Sequence, residues 1–95
     1  MREAQLRYLK LDMNLARELG LDCAALFACL KFLAKRQKLD DHGFFQVDRA
    51  FLQPNLGLSR NRLLRARKEL ENKGLIQVID GLNQNQKPRY KIVVR

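Results

Sequence analysis

The sequence holds one histidine, two cysteines, two prolines and no tryptophan, and its 10 acidic residues face 19 Lys and Arg in a chain of 95. Each shortage excludes something. His42, Cys23 and Cys29 are too few and too badly spaced for a zinc site. His42 instead reads as a loop residue. No Gly-rich phosphate loop, GxSxG turn or HExxH pair occurs, so the residues offer no enzyme to assemble and imply no cofactor. The neighbouring Asp40 and Asp41 are most simply the end of a helix and a solubilised turn. The longest wholly apolar run, residues 23–30, is far below the roughly 20 residues that span a bilayer, and the opening "MREAQLRYLK" is too charged for a secretory signal. A cytoplasmic location without membrane contact is expected. Cys23 and Cys29 lie six apart on one predicted helix, on different faces, and cannot bond to each other within it. Both are expected to be buried apolar thiols.

What is present is a basic, core-forming chain. A content of 46% hydrophobic and 31% charged residues argues against wholesale disorder, and 95 residues make one domain with one modest core. The net charge of +9 implies a partner of opposite sign. Nucleic acid leads, ahead of an acidic membrane surface or an acidic protein. The charge is also unevenly placed: residues 59–95 carry ten Lys or Arg against three Asp or Glu, while residues 1–58 carry nine against seven. Solvated surfaces usually mix signs, so the C-terminal part is expected to present an anion-binding face.

Along the chain, "RYLKLD" suggests a short extended piece over residues 8–11, and Asp12 caps a helix predicted over 13–19, which Gly20 ends. Asp22 is expected to cap the longest helix, from 23 to about 38. Leu26, Leu30 and Leu33 form one face of it, yet Ala25, Ala28 and Phe32 make it apolar elsewhere too, so either the N-terminal segment or another subunit should cover a second side. A turn at "DDHG" leads to a strand over 44–47, and Asp48 caps a brief helix anchored by Phe51, Leu52 and Leu56. Pro54 should stop or kink that helix near Gln53. Gly57 supplies a turn and Ser59 caps the next helix.

That helix, residues 59–73, carries six basic residues. Leu63, Ala66 and Leu70 share one side, while Asn61, Arg62, Arg65, Lys68 and Asn72 project from the other. Such a helix can enter a B-DNA major groove, where Arg reads guanine and Asn reads adenine. A helix exposed to solvent alone would set more Glu opposite its Arg residues, and only Glu69 and Glu71 are available. After Gly74, "LIQVI" and "RYKIVV" alternate as two strands, joined by a polar stretch over 80–89 that is long for a mere connector. A helix-turn-helix, two strands and a protruding loop make a wing.

"LGLSRNRLLRARKELENKGLI" resembles the winged helix-turn-helix pattern, with Leu63, Ala66, Leu70, Gly74, Leu75 and Ile76 at the matching positions. The wider order, "YLKLD", a long helix, "GFFQVD" and then the motif, is similar to winged-helix domains of phage and plasmid replication initiators and replisome organisers, and also to small bacterial repressors. Arg67 stands where that family usually keeps an apolar residue, and is expected to reach past the seam to solvent on its aliphatic stem. The resemblance implies an α+β, mainly α fold: a winged-helix core over residues 22–95, with residues 1–21 as a helical extension that is a candidate dimerisation element. It implies double-stranded DNA as the partner, in transcription regulation or in replication of a mobile element, and the doubly apolar helix over 23–38 adds the expectation of a homodimer. The candidate contacts are Ser59, Arg60, Asn61, Arg62, Arg65 and Lys68 on the helix, and Asn83, Gln84, Asn85, Lys87 and Arg89 on the wing. Asn61, Arg62 and Arg65 suit base edges, Lys87 and Arg89 suit phosphates, and Arg60 suits either. The alternative is a winged-helix module that binds protein, which the charge disfavours. RNA binding would call for exposed stacking aromatics, whereas most of the seven here hold core-like positions.

Overall fold

A computed structural model describes residues 11–80 and 87–93. The elements in chain order are α1 (Met13–Leu19), α2 (Leu21–Arg36), β1 (Phe45–Gln46), α3 (Arg49–Leu56), α4 (Arg60–Asn72), β2 (Ile76–Ile79) and β3 (Arg89–Ile92). The architecture is α+β and mainly helical, four helices with a three-stranded antiparallel sheet of order β1-β3-β2. The expected extended piece over residues 8–11 falls almost wholly outside the described residues.

Two neighbouring helices share one glycine. Asp12 caps α1 as expected, its Oδ1 accepting from the N–H groups of Asn14 and Leu15 at 2.9 and 3.1 Å. Gly20, at φ +97° and ψ 165°, donates to the Ala16 carbonyl at the end of α1 while its own carbonyl accepts from Ala24 at 3.2 Å to begin α2. That backbone conformation is essentially confined to glycine. Because Gly20 fills both cap positions, the expected cap at Asp22 does not form: α2 starts at Leu21 and Asp22 sits in its first turn.

Helix α2 is the central element, packed against α1, α4 and β3. Cys23, Leu26, Cys29, Leu30 and Leu33 are buried along it. Its second apolar side is met in two ways. From α1, Leu15 enters the core, and Leu19 packs against it. The half-buried rings of Phe27 and Phe32 are covered by cations of the same helix, Lys31 Nζ lying 5.3 Å from the first and the Arg36 guanidinium carbon 4.3 Å from the second.

Helix α3 does not stop at Gln53, one of the two outcomes expected for Pro54. It runs through the proline to Leu56, because both ends are held independently of it. Asp48 Oδ1 accepts from the Ala50 N–H at 2.9 Å, and Gly57, left-handed at φ +67°, donates to the Gln53 carbonyl. Asn55 Nδ2 donates to the Phe51 carbonyl at 2.8 Å. The bond Pro54 cannot make is the one to the Ala50 carbonyl, on an exposed side that is open to solvent.

The sheet closes the core. Ile76 of β2 and Tyr90 of β3 point inward with Phe45 of β1, and the Phe45 and Tyr90 rings sit 6.5 Å apart in paired register. β1 proves shorter than the expected 44–47, and it pairs with β3. Gly74 follows α4, and Leu75 donates back to the Leu70 carbonyl at 3.0 Å, turning the chain into β2. Two side chains behave differently from expectation. Arg67 does not run out to solvent but turns along the surface to Asp80, with its side chain only 17% exposed. A carboxylate just beyond β2 and the hydroxyl of Tyr90 give it partners that sequence spacing does not reveal. Cys29 is an apolar thiol as expected, but Cys23 also donates its S–H to Glu69 Oε2 at 3.0 Å.

Candidate nucleic-acid interface

The order α3, turn, α4, β2, β3 leaves α4 standing on an apolar seam. Leu63, Ala66 and Leu70 fill the core, and Ser59 fixes the start of the helix by accepting the Arg62 N–H at 3.2 Å. With the seam inward, Arg60, Asn61, Arg62, Arg65, Lys68 and Asn72 are exposed. Asn61, Arg65, Lys68 and Asn72 recur at the i, i+4, i+7 and i+11 spacing of one helical stripe.

The first turn of α4 contains no acidic residue, so Arg60 and Arg62 stand where the helix dipole is itself positive. Such a placement is unfavourable for the isolated helix and becomes favourable once an anion is bound there. One of the two arginines already has an anionic partner. Arg62 donates from Nη2 to Asp22 Oδ1 at 2.7 Å and from Nε to Asp22 Oδ2 at 3.0 Å. The hydrogen bond from Arg62 holds the Asp22 carboxyl below its ordinary value, over a smaller opposing effect of burial, and the charge of Arg65 adds to it. Arg65 and Glu69 line the same cleft beside Gly20, Leu21 and Asp22. Arg60, Arg65 and Lys68 have no carboxylate at ion-pair distance among the described residues.

The start of β3 and the residues before it are organised around two further acids. Lys87 Nζ lies 3.7 Å from Asp48 Oδ2, and Arg89 Nη1 lies 3.8 Å from Asp40 Oδ2. Both cations are exposed. Asp40 is held in place by the N–H groups of His42 and Phe44, at 2.8 and 2.9 Å, and the bond from Phe44 contributes most to lowering its pKa. Asn83, Gln84 and Asn85, at the expected wing tip, lie outside the described residues. Asp22 is the residue that sequence reasoning missed: it precedes Arg62 by 40 positions, and a cap rule accounted for it without reference to α4.

No protein-family profile matches the chain, and no curated protein matches it in sequence. Two solved structures match it in shape. One is described as the N-terminal domain of a DNA-binding protein, with a TM-score of 0.69 and 20% identity over 96% of this chain and 77% of that one. The other is a Rep–DNA complex, again with a TM-score of 0.69 and 20% identity, over 96% of this chain and 78% of that one. The chain shares their fold. Within it, the basic helix α4 is followed directly by the antiparallel β2–β3 pair.

Among the described residues no helix is long and apolar enough to cross a membrane, and no group of three or more His, Cys, Asp or Glu is placed to hold a metal ion.

Proposed function

We propose that this protein binds double-stranded DNA, with α4 in the major groove and the wing on backbone or minor groove, and that it acts in replication or transcription control of a phage, plasmid or other mobile element. The observation that carries this reading is the outward stripe of α4: arginine and amide side chains on an exposed helix whose opposite side is locked into the core. Its support is the fold, shared with two solved structures, one a domain of a DNA-binding protein and the other a complex of Rep with DNA. The roles divide by position. Asn61, Arg62 and Arg65 face base edges, Ser59, Arg60 and Lys68 flank them, Lys87 and Arg89 meet phosphates, and Asn83, Gln84 and Asn85 are assigned as further DNA contacts. The protein works as a homodimer on half-sites about 34 Å apart, a reading supported by the exposed apolar side chains of Leu11, Met13 and Leu21 around α1 and the start of α2.

The test is binding-site selection followed by salt titration on the selected duplex and on a random one. Arg65→Ala should weaken the selected site by about 1–3 kcal/mol and relax its preference. Lys87→Ala and Arg89→Ala should weaken both duplexes alike, and each should lower the salt slope by about one if its side chain neutralises one phosphate. Unchanged binding of both duplexes by the α4 variants overturns the assignment of this helix. Sedimentation on the selected duplex reads the stoichiometry, and one chain per site overturns the dimer.

A further inference from the structure

The pairing between Arg62 and Asp22 uses only part of the guanidinium. A guanidinium carries five N–H donors in a planar fork. Asp22 takes one from Nε and one from Nη2, through a side-on, bidentate contact at 3.0 and 2.7 Å. Both N–H groups of Nη1 and the second of Nη2 remain, and the Arg62 side chain is 55% exposed. One N–H of Nη1 and the second of Nη2 form the other bidentate edge of the fork, and the last N–H of Nη1 points back toward Cδ. A carboxylate that grips one edge fixes the plane and direction of the opposite one, and the anchor is firm because Asp22 belongs to the first turn of the central helix α2. Arg62 follows the Ser59 cap by three residues, so its backbone is fixed as well.

We propose that Asp22 is a positioning residue for Arg62: it holds the guanidinium so that its free edge presents two N–H groups to a paired acceptor such as guanine O6 and N7. The proposal rests on the DNA-binding reading and deepens it. It makes recognition depend on a residue outside the helix-turn-helix, on the far side of the α2–α4 junction. It also opposes the simplest electrostatic expectation, in which an acid beside a DNA-binding arginine is a decoy that the nucleic acid must displace. A decoy weakens every duplex. A positioning residue strengthens the preferred site selectively, because an arginine already immobilised loses less freedom on binding.

The experiment compares the unmutated chain with Asp22→Asn, Arg62→Lys and the double variant, by anisotropy titration on the selected duplex and on a random duplex of equal length. Asn at position 22 keeps the shape and removes the charge. Arg62→Lys keeps the charge of the α4 residue and removes the fork. The expected result is that Asp22→Asn weakens the selected site by about 3- to 10-fold, the effect of restoring one side chain's freedom, while the random duplex is bound equally or more tightly. In the Arg62→Lys background the same change should no longer lower selectivity. Equal tightening on both duplexes makes Asp22 a decoy and overturns the proposal, as does a selectivity loss that persists in the Arg62→Lys background. Failure of the unmutated chain to bind any duplex overturns the DNA-binding reading itself, whereas binding with a preference that Asp22→Asn leaves intact overturns only this inference.

Discussion

The Arg67 guanidinium lies 3.1 Å from one carboxylate oxygen of Asp80, joining the outer flank of α4 to the residue that follows β2. Burial on its own would lower the pKa of this arginine, but hydrogen bonding to Tyr90 and the charge of Asp80 hold it above its ordinary range. The two ends of the pair differ, since Asp80 is 67% exposed while Tyr90 is buried. Arg67→Ala should therefore cost about 1–3 kcal/mol, through loss of its packed stem and of a partner for a buried hydroxyl. Asp80→Asn should cost less than about 1 kcal/mol, as for other exposed ion pairs. Urea unfolding of the two variants measures both, and equal costs would show that the ion pair rather than Tyr90 dominates.

The buried thiols impose a pH dependence at the alkaline end. Burial raises Cys23 from 9.0 to about 12, with the hydrogen bond and charge of Glu69 adding to it, and burial raises Cys29 to about 11. A raised value in the folded state means that the unfolded chain releases its protons first. The thiol contribution is thus complete below pH 9.0 and is lost as pH climbs from there toward 11 and 12. Cys23→Ala with Cys29→Ala should flatten this decline in melts recorded from about pH 8 to 11. The same protonation predicts no alkylation of the native protein by iodoacetamide near neutral pH, and labelling of both thiols in denaturant.

Gly20 and Gly57 separate backbone strain from crowding. A Cβ added at either would meet nothing within 4 Å, so only conformation is at stake. Gly57 is in the left-handed helical region, where an L residue costs about 1–2 kcal/mol. Gly20, at φ +97° and ψ 165°, is in a region still less open to side chains. Gly20→Ala should therefore lower the melting temperature more than Gly57→Ala, and Asn should be tolerated at 57 but not at 20.

Pro54 marks stability left unused. Its backbone fits α3 at an exposed position, but a proline in a helix interior is about 3 kcal/mol less favourable than alanine. Some of that difference is returned by the stiffer unfolded chain. Pro54→Ala should raise stability by about 1–2 kcal/mol, and a decrease on denaturant unfolding would show that the proline shapes the turn into α4.

The parts of this fold that sequence rules reached are those written in local spacing. The Leu63, Ala66 and Leu70 seam, the Ser59, Asp12 and Asp48 caps and the inward side of β2 each depend on neighbours a few residues away, and each stands where expected. Some departures are local, such as Gly20 in place of Asp22 before α2 and the passage of α3 through Pro54, but the others involve partners remote in the chain. Arg62 finds Asp22 40 residues back, Arg67 finds Asp80 13 residues on, and Cys23 finds Glu69 46 residues on. Helical periodicity says which way such side chains leave their own helix and nothing about what stands opposite. The candidate interface was legible as a stripe of exposed residues; the acids that orient it were not.

β3 is the latest strand in the chain and the middle one in the sheet, paired on one side with Phe45–Gln46 and on the other with Ile76–Ile79. The first two strands do not touch each other in the order β1-β3-β2, so on the ribosome both wait for the third with their edges unpaired. Helices α1, α2 and α4 can assemble while the sheet cannot, and the nascent chain passes through a stage with its helices packed and its strands open. Limited digestion of chains tethered to the ribosome through an appended C-terminal linker of increasing length should show protection of residues 45–46 and 76–79 arising together, only after residues 89–92 have left the exit tunnel.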